Sequence, residues 1–165
     1  MFHNLELFKR NTEKLKDLVR LKSEGKIQHI GVSVYSNHEI EFLLNYPEIN
    51  LIQMPFNMLD NWCQRGEYVR RAKDNGIEIH IRSVFLQGLF FIPVTELPLK
   101  LNPLEPYLKE LHTLCSRQQM SIEMAAMAYA LSRPEIDRVL LGVETTEQLS
   151  SKDRKSTRLN SSHRT

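Results

Sequence analysis

The sequence predicts an α/β fold of about four parallel strands with flanking helices, roughly half of a (β/α)8 barrel. Three observations lead there. Strand-like and helix-like segments alternate along the chain, with connections of about 10–20 residues, and connections of that length join parallel strands in βαβ units. A parallel sheet places helices outside and keeps a closed or covered interior. A complete barrel takes about 250 residues, whereas this chain has 165, and the competing flavodoxin-like sheet would show a Gly-rich phosphate loop after a strand, which is absent here.

The elements follow in order. Asn11 or Thr12 can cap a helix whose apolar stripe is Leu15, Leu18 and Val19, with Gly25 suited to its C-terminal end. Residues 27–33 have strand character. Asn37 opens a short helix through Ile40, Phe42, Leu43 and Leu44, stopped before Pro47 because the residue preceding proline avoids the helical region. Strand character returns at residues 50–54, and a polar helix around 66–75 ends at Asn75-Gly76. Ile77-Glu78-Ile79-His80-Ile81-Arg82 is the cleanest alternation in the chain and reads as the third strand. An irregular stretch with Pro93 and Pro98 leads to helices near 104–118 and 122–132. The second, capped by Ser121, is apolar on almost every side and is expected to be buried between neighbours. A fourth strand at 138–142 runs into the first turn of another helix at 145–149.

Hydrophobic residues make up 41% of the chain, which suits a packed domain and excludes wholly disordered, collagen-like and coiled-coil chains. The longest apolar runs are a handful of residues, too short to span a membrane, and no secretory signal opens the chain. Lys and Arg number 22 and Asp and Glu 20, but the last fifteen residues alone carry +4, leaving residues 1–150 at −2. A nucleic-acid interface on the body therefore lacks its electrostatic footing. Cys63 and Cys115 lie far apart, with no CxxC and no His at ligand spacing, so they read as two reduced thiols in a cytoplasmic protein without a metal site. Residues 153–165 offer no apolar face, and the segment DRKSTRLNSSH also resembles a one-frame translation of a sequencing-library adapter. That segment is expected to be a disordered tail foreign to the domain, which is placed at residues 1–152.

Alternation also sorts side chains between strand faces. Ile77, Ile79 and Ile81 share one face and are expected to meet the helices. Glu78, His80 and Arg82 then face the barrel interior, with Arg82 at the C-terminal mouth. The matching parity ends at Ser33 on the first strand and at Gln53 on the second. These three are expected to converge at the C-terminal rim, where (β/α)8 enzymes place their sites. A hydroxyl beside a primary amide suits a ligand carboxamide, which has one acceptor and two donor hydrogens. Each residue alone is better explained as a satisfied polar side chain at a strand end; three at one rim bring a binding role level with that. Trp62, in the loop 57–64, either lines the pocket or faces solvent.

Five segments in order resemble the aldo-keto reductases: His3-Asn4; Gly25-Lys26-Ile27 running into Ile30-Gly31-Val32-Ser33; Leu51-Ile52-Gln53-Met54-Pro55-Phe56-Asn57; Arg82-Ser83-Val84-Phe85-Leu86-Gln87-Gly88-Leu89; and Leu141-Gly142-Val143-Glu144-Thr145-Thr146-Glu147-Gln148-Leu149. The resemblance spans residues 1–149 and implies the C-terminal half of a (β/α)8 TIM barrel. It further implies NAD(P)H-dependent reduction of a carbonyl to an alcohol by hydride transfer, with a Tyr as general acid assisted by Lys, Asp and a His at the end of the fourth strand. His3 falls at that His position, where an imidazole can hydrogen-bond and polarise the substrate carbonyl. Ser33 and Gln53 fall where the family holds the nicotinamide carboxamide, although the Asn that often follows that Ser is Val34 here. Arg82 stands where many members put an aromatic ring against the nicotinamide. A planar guanidinium can stack there, while its charge disfavours the oxidised, cationic ring. Ser83, Val84, Phe85, Leu86 and Gly88 match the loop that covers the cofactor pyrophosphate through backbone N–H groups, Gly88 permitting close approach. Gly142, Glu144 and Gln148 belong to the segment matched to the adenosine end. Glu144 replaces an Arg common in NADP-preferring members; a carboxylate there repels a 2′-phosphate and accepts from a ribose 2′-OH, which points to NAD.

The resemblance implies that the family's Asp, Tyr and Lys belong to the first three strands, which this chain is expected to lack, and Tyr35, Tyr46, Tyr68, Tyr107 and Tyr129, in expected helices or loops, do not match the acid's position. The chain is therefore expected to be a fragment of such a reductase, inactive alone for want of a proton donor. Unpaired sheet edges and an uncovered apolar interior are expected to make it poorly stable and prone to self-association. Its expected ligand besides the cofactor is a small-molecule carbonyl compound, with no nucleic-acid or membrane partner. A non-catalytic subunit of the same fold that binds a nicotinamide cofactor is the alternative, and an unrelated TIM-barrel enzyme the third reading.

Overall fold

The structure, a computed structural model, describes residues 1–142. Two helices, α1 (Leu5–Lys9) and α2 (Leu15–Ser23), precede β1 (Gly31–Ser33). Then α3 (Asn37–Leu43) leads to β2 (Leu51–Pro55), α4 (Trp62–Asp74) to β3 (Glu78–Arg82), and α5 (Glu105–Arg117) with α6 (Ile122–Leu131) to β4 (Arg138–Val139). All four strands are parallel and lie in sequence order β1-β2-β3-β4. Among the described residues, no helix is long and apolar enough to cross a membrane.

Local chemistry sets the element bounds. Ser36 and Glu39 form a reciprocal capping box at the start of α3. Asn61 caps α4 by accepting from the Cys63 N–H at 3.0 Å, so that helix begins four residues before the Gly66 expected from sequence. β1 is three residues long because the chain before it is held differently: the Ile30 N–H donates to Asn50 Oδ1 at 2.8 Å. β4 is likewise shorter than expected. Helix α1 gave no sequence signal, being too short to display a helical period. Asn4 caps it by accepting from the Leu7 N–H at 2.8 Å, and it buries Leu5 and Phe8. Ahead of it Phe2 makes a parallel bridge to Val32, donating to Gly31 O at 2.7 Å and accepting from the Ser33 N–H at 2.9 Å.

The core lies between the sheet and its helices. Val32, Ile52, Met54, Ile79 and Ile81, from three successive strands, and Val34, just past β1, are 0% exposed and pack with Ile40 and Leu43 of α3 and Val69 and Ala72 of α4. Burying one such side chain stabilises the fold by about 1.5–3 kcal/mol. Two expectations need correction. Val19 is 41% exposed rather than part of a buried stripe, and Leu15 is the buried residue of α2. Helix α6 buries Ala126, Met127 and Ala130, while its other residues are half-buried rather than enclosed all round.

A third correction concerns the sheet's other face. It is polar, not apolar: one row across it reads Ser33, Gln53 and His80, and Glu78 and Arg82 flank that row on β3. The alternation that sends isoleucines to the helices leaves few hydrocarbons for the inner side.

Trp62 is half-buried and joins α4 to α6 rather than lining a pocket or facing solvent. Its backbone N–H donates to the Tyr129 hydroxyl at 2.8 Å, and the Arg70 and Arg133 guanidiniums lie 5.1 and 5.3 Å from its ring. Gly66 makes room for it, because a Cβ there would stand 2.7 Å from Trp62 Cε2. Gly66→Ala is expected to lower stability by about 1–3 kcal/mol, and urea unfolding followed by fluorescence of this single tryptophan checks it.

Candidate functional site

The site grows out of strand register. β1 pairs Ser33 with Gln53, and β2 pairs Gln53 with His80 and Pro55 with Arg82. Neighbours in register share a face of the sheet, so Ser33, Gln53 and His80 form one row and Arg82 stands a row nearer the C-terminal ends. Ser33 is 5% exposed. Gln53 is half-buried, and its amide makes no hydrogen bond among the described residues. Arg82 reaches back across β2: its Nη2 donates to Ser33 Oγ at 3.5 Å and its Nη1 to Ser83 Oγ at 3.4 Å, both long bonds. The structure thus brings Ser33, Gln53, Arg82 and Ser83 to one rim. His3 is exposed and lies one residue past the Phe2–Val32 bridge, level with Ser33.

Two further contributors went unread in the sequence. Tyr35 continues the parity of Gly31 and Ser33, and the Arg82 guanidinium sits 4.4 Å from its ring centroid. The second is Arg65, whose Nε and Nη2 grip Asp60 at 2.6 and 2.7 Å while Nη1 donates to Asn37 Oδ1 at 2.9 Å and Nη2 to the Tyr35 carbonyl at 2.8 Å. With four hydrogen bonds, this arginine ties the loop after β1 to the loop after β2. Tyr35 had a local signal, its position two residues beyond Ser33; Arg65 had none, because two of its partners, Tyr35 and Asn37, lie about thirty residues away. The buried Asn57 ties the same loop to the segment after β3, donating from Nδ2 to the Ser83 carbonyl at 3.3 Å.

The segment after β3 coils tightly. Ser83, Leu86, Gln87 and Gly88 have φ of 59°, 47°, 54° and 88°, and only glycine adopts such values without strain. The Leu86 N–H donates to Ser83 O and the Gly88 N–H to Phe85 O, each at 2.9 Å, so two N–H groups expected to face a pyrophosphate instead close turns within the loop. Val84 is buried, and Phe85 packs against Phe91 with ring centroids 5.5 Å apart. Beside Gly88 the space a side chain would fill is empty. Between this loop and residues 100–104 lies a cleft of about 640 Å³ lined by Tyr35, Arg82, Ser83, Leu86, Leu89 and Lys100, among others. Gly142 is exposed at the end of the described residues. Glu144, Gln148, the helix expected at 145–149 and the tail 153–165 lie outside them.

At the opposite end of the inner face Glu78 is ringed by His80, Arg138 and His29. Its Oε1 lies 2.9 Å from His80 Nε2 and 3.3 Å from Arg138 Nε, and its Oε2 lies 3.3 Å from His29 Nε2. The hydrogen bond from His80, with the charges of His29 and His80 and the bond from Arg138, holds this carboxyl below its ordinary value against the opposing effect of burial. Both cysteines are free; Cys63 is exposed, and burial pushes the Cys115 thiol up. Among the described residues no cluster of His, Cys, Asp or Glu is arranged to hold a metal ion.

The family model for aldo/keto reductases matches residues 2–159. Among curated proteins, the NADH-specific methylglyoxal reductase of Escherichia coli is 30% identical over 149 residues, covering 80% of this chain and 44% of that protein. Among solved structures, an aldo-keto reductase from Bacillus halodurans matches with a TM-score of 0.69 in its apo form (19% identity) and 0.68 in its holo form (20% identity), covering 88% of this chain and 50% of that one. The chain spans about half the length of these relatives.

A carboxyl whose value is lowered by folding contributes stability above its ordinary range and loses it as pH falls through the lowered value. The urea midpoint of the chain is therefore expected to drop below about pH 4.5, the ordinary value, and Glu78→Gln is expected to flatten that part of the drop. Midpoints measured across pH for both chains check it.

Proposed function

The chain belongs to the aldo/keto reductase family, and from that premise we propose that it is the nicotinamide-gripping half of an NAD(P)H-dependent carbonyl reductase. The pairing of Ser33 with Gln53 in one row of the inner face carries the reading. The residues fit the group: a hydroxyl and an uncommitted primary amide stand side by side, matching the donors and acceptor of a carboxamide. The open space beside Gly88 admits close approach to the loop after β3. Bound there, a reduced nicotinamide supplies the hydride. Ser33 and Gln53 fix the orientation of the ring, Ser83 to Gly88 border the phosphates, and His3, level with Ser33, orients the substrate carbonyl.

The family's Tyr, Asp and Lys have no counterparts among these 165 residues, so the chain alone binds dinucleotide without turnover. The carboxylate of Glu144 favours NADH, and the relative from Escherichia coli is by its name NADH-specific and a methylglyoxal reductase; a small carbonyl compound is the substrate class this supports. Two free thiols support a cytoplasmic setting. Because the inner face is polar and Phe2 pairs the outer edge of β1, self-association is driven by exposed apolar side chains such as Leu99, Phe91 and Leu114.

Titration of the 165-residue chain with NADH, read by energy transfer from Trp62, is expected to saturate. Ser33→Ala and Gln53→Ala are each expected to weaken binding about three- to tenfold. No binding overturns the proposal, and a tenfold preference for NADPH overturns the argument from Glu144. Sedimentation velocity is expected to show species larger than the monomer; a monomer melting cooperatively above about 65 °C overturns the self-association.

A further inference from the structure

Arg82 carries a charge that nothing around it neutralises. Its polar contacts are two long bonds to the Ser33 and Ser83 hydroxyls and a Tyr35 ring at 4.4 Å, and among the described residues it forms no ion pair. The acid lining the same cleft, Asp60, is committed to Arg65 at 2.6 and 2.7 Å. Lys100 lines that cleft as well and adds a second positive charge. Tyr35, which holds the guanidinium by its ring, is itself anchored through its carbonyl to Arg65 at 2.8 Å.

We infer that Arg82 makes this site discriminate between redox states of the dinucleotide, binding the reduced form and rejecting the oxidised one. The inference rests on the reading that Ser33 holds the carboxamide. If it does, the Arg82 guanidinium, 3.5 Å from the Ser33 oxygen, stands within a few ångströms of the ring that bears that carboxamide. The reduced ring is neutral and stacks against a planar guanidinium without penalty. The oxidised ring carries a positive charge and meets like charge in a half-buried setting, where the repulsion is weakly screened. Both forms share the same phosphates and adenosine, so every other contact cancels in their ratio. The site is thereby biased toward loading NADH and shedding its oxidised product.

Dissociation constants for NADH and NAD+ are measured on the 165-residue chain, on Arg82→Gln and on Arg82→Lys. The expected result is NADH binding about tenfold or more tightly than NAD+ to the parent and to the lysine variant, with the ratio falling toward one in the glutamine variant. A ratio near one in the parent, or one unchanged by Arg82→Gln, overturns the inference while leaving the cofactor reading intact. Failure of both dinucleotides to bind the parent overturns the cofactor reading and this inference with it.

Discussion

The two-residue period of short parallel strands is the constraint from which the rest of this molecule follows. Val32 and Val34, Ile52 and Met54, and Ile79 and Ile81 are fully buried against the helices, and that burial pins the facing of every residue between them. Ser33, Gln53, His80 and Arg82 occupy the inner side because their neighbours cannot leave the outer one. A slip of one residue in any strand would exchange the two sets and place polar groups in the core without partners, which costs far more than the site contributes. The polar row is thus a by-product of core packing, held in place by residues on the opposite face of the sheet.

Above the strands, order is imposed by polar bonds. The Arg65–Asp60 pair is the kind of half-buried ion pair whose desolvation is tolerable because further bonds satisfy the guanidinium, here from Asn37 and the Tyr35 carbonyl. Its consequence is geometric. It fixes the loop after β1 to the loop after β2, and through the Tyr35 ring it fixes the side chain at the end of β3. Asn57 extends the same linkage to Ser83. Three loops that each follow a different strand therefore behave as one rim, which a ligand-binding edge built from loops needs if binding is not to spend its energy on ordering them.

What was legible in the sequence was what depends on local period. Ile77 to Arg82 show both a strand and its facing in their alternation, and the same parity at Ser33 and Gln53 specifies the row found in the structure. The same parity already excluded an apolar interior, since it had placed Glu78, His80 and Arg82 there; that expectation failed on its own evidence. The misses have a different cause. Five residues of α1 cannot display a helical period, the truncation of β1 depends on an Asn50 side chain twenty residues away, and the Arg65 clamp joins residues up to thirty apart. Sequence separation of that size hides polar pairings that three dimensions make obvious.

The electrostatics of the inner face complete the picture. Glu78, toward the N-terminal ends of the strands, is surrounded by His29, His80 and Arg138, whereas Arg82, toward the C-terminal ends, has no acidic partner among the described residues. Charge is therefore compensated at one pole and left open at the other. The connection between a parallel strand and its following helix adds to this, because each strand ends near a helix start. Ser36 and Asn61, which cap α3 and α4, mark where those helices begin after β1 and β2, and the positive ends of their dipoles lie on the strand-exit side. Residues 1–150 carry a net charge of −2, so the positive field at that pole does not come from overall composition. It comes from where the fold leaves one guanidinium uncompensated, and a local field of that kind acts on a charge distribution rather than merely on a sign.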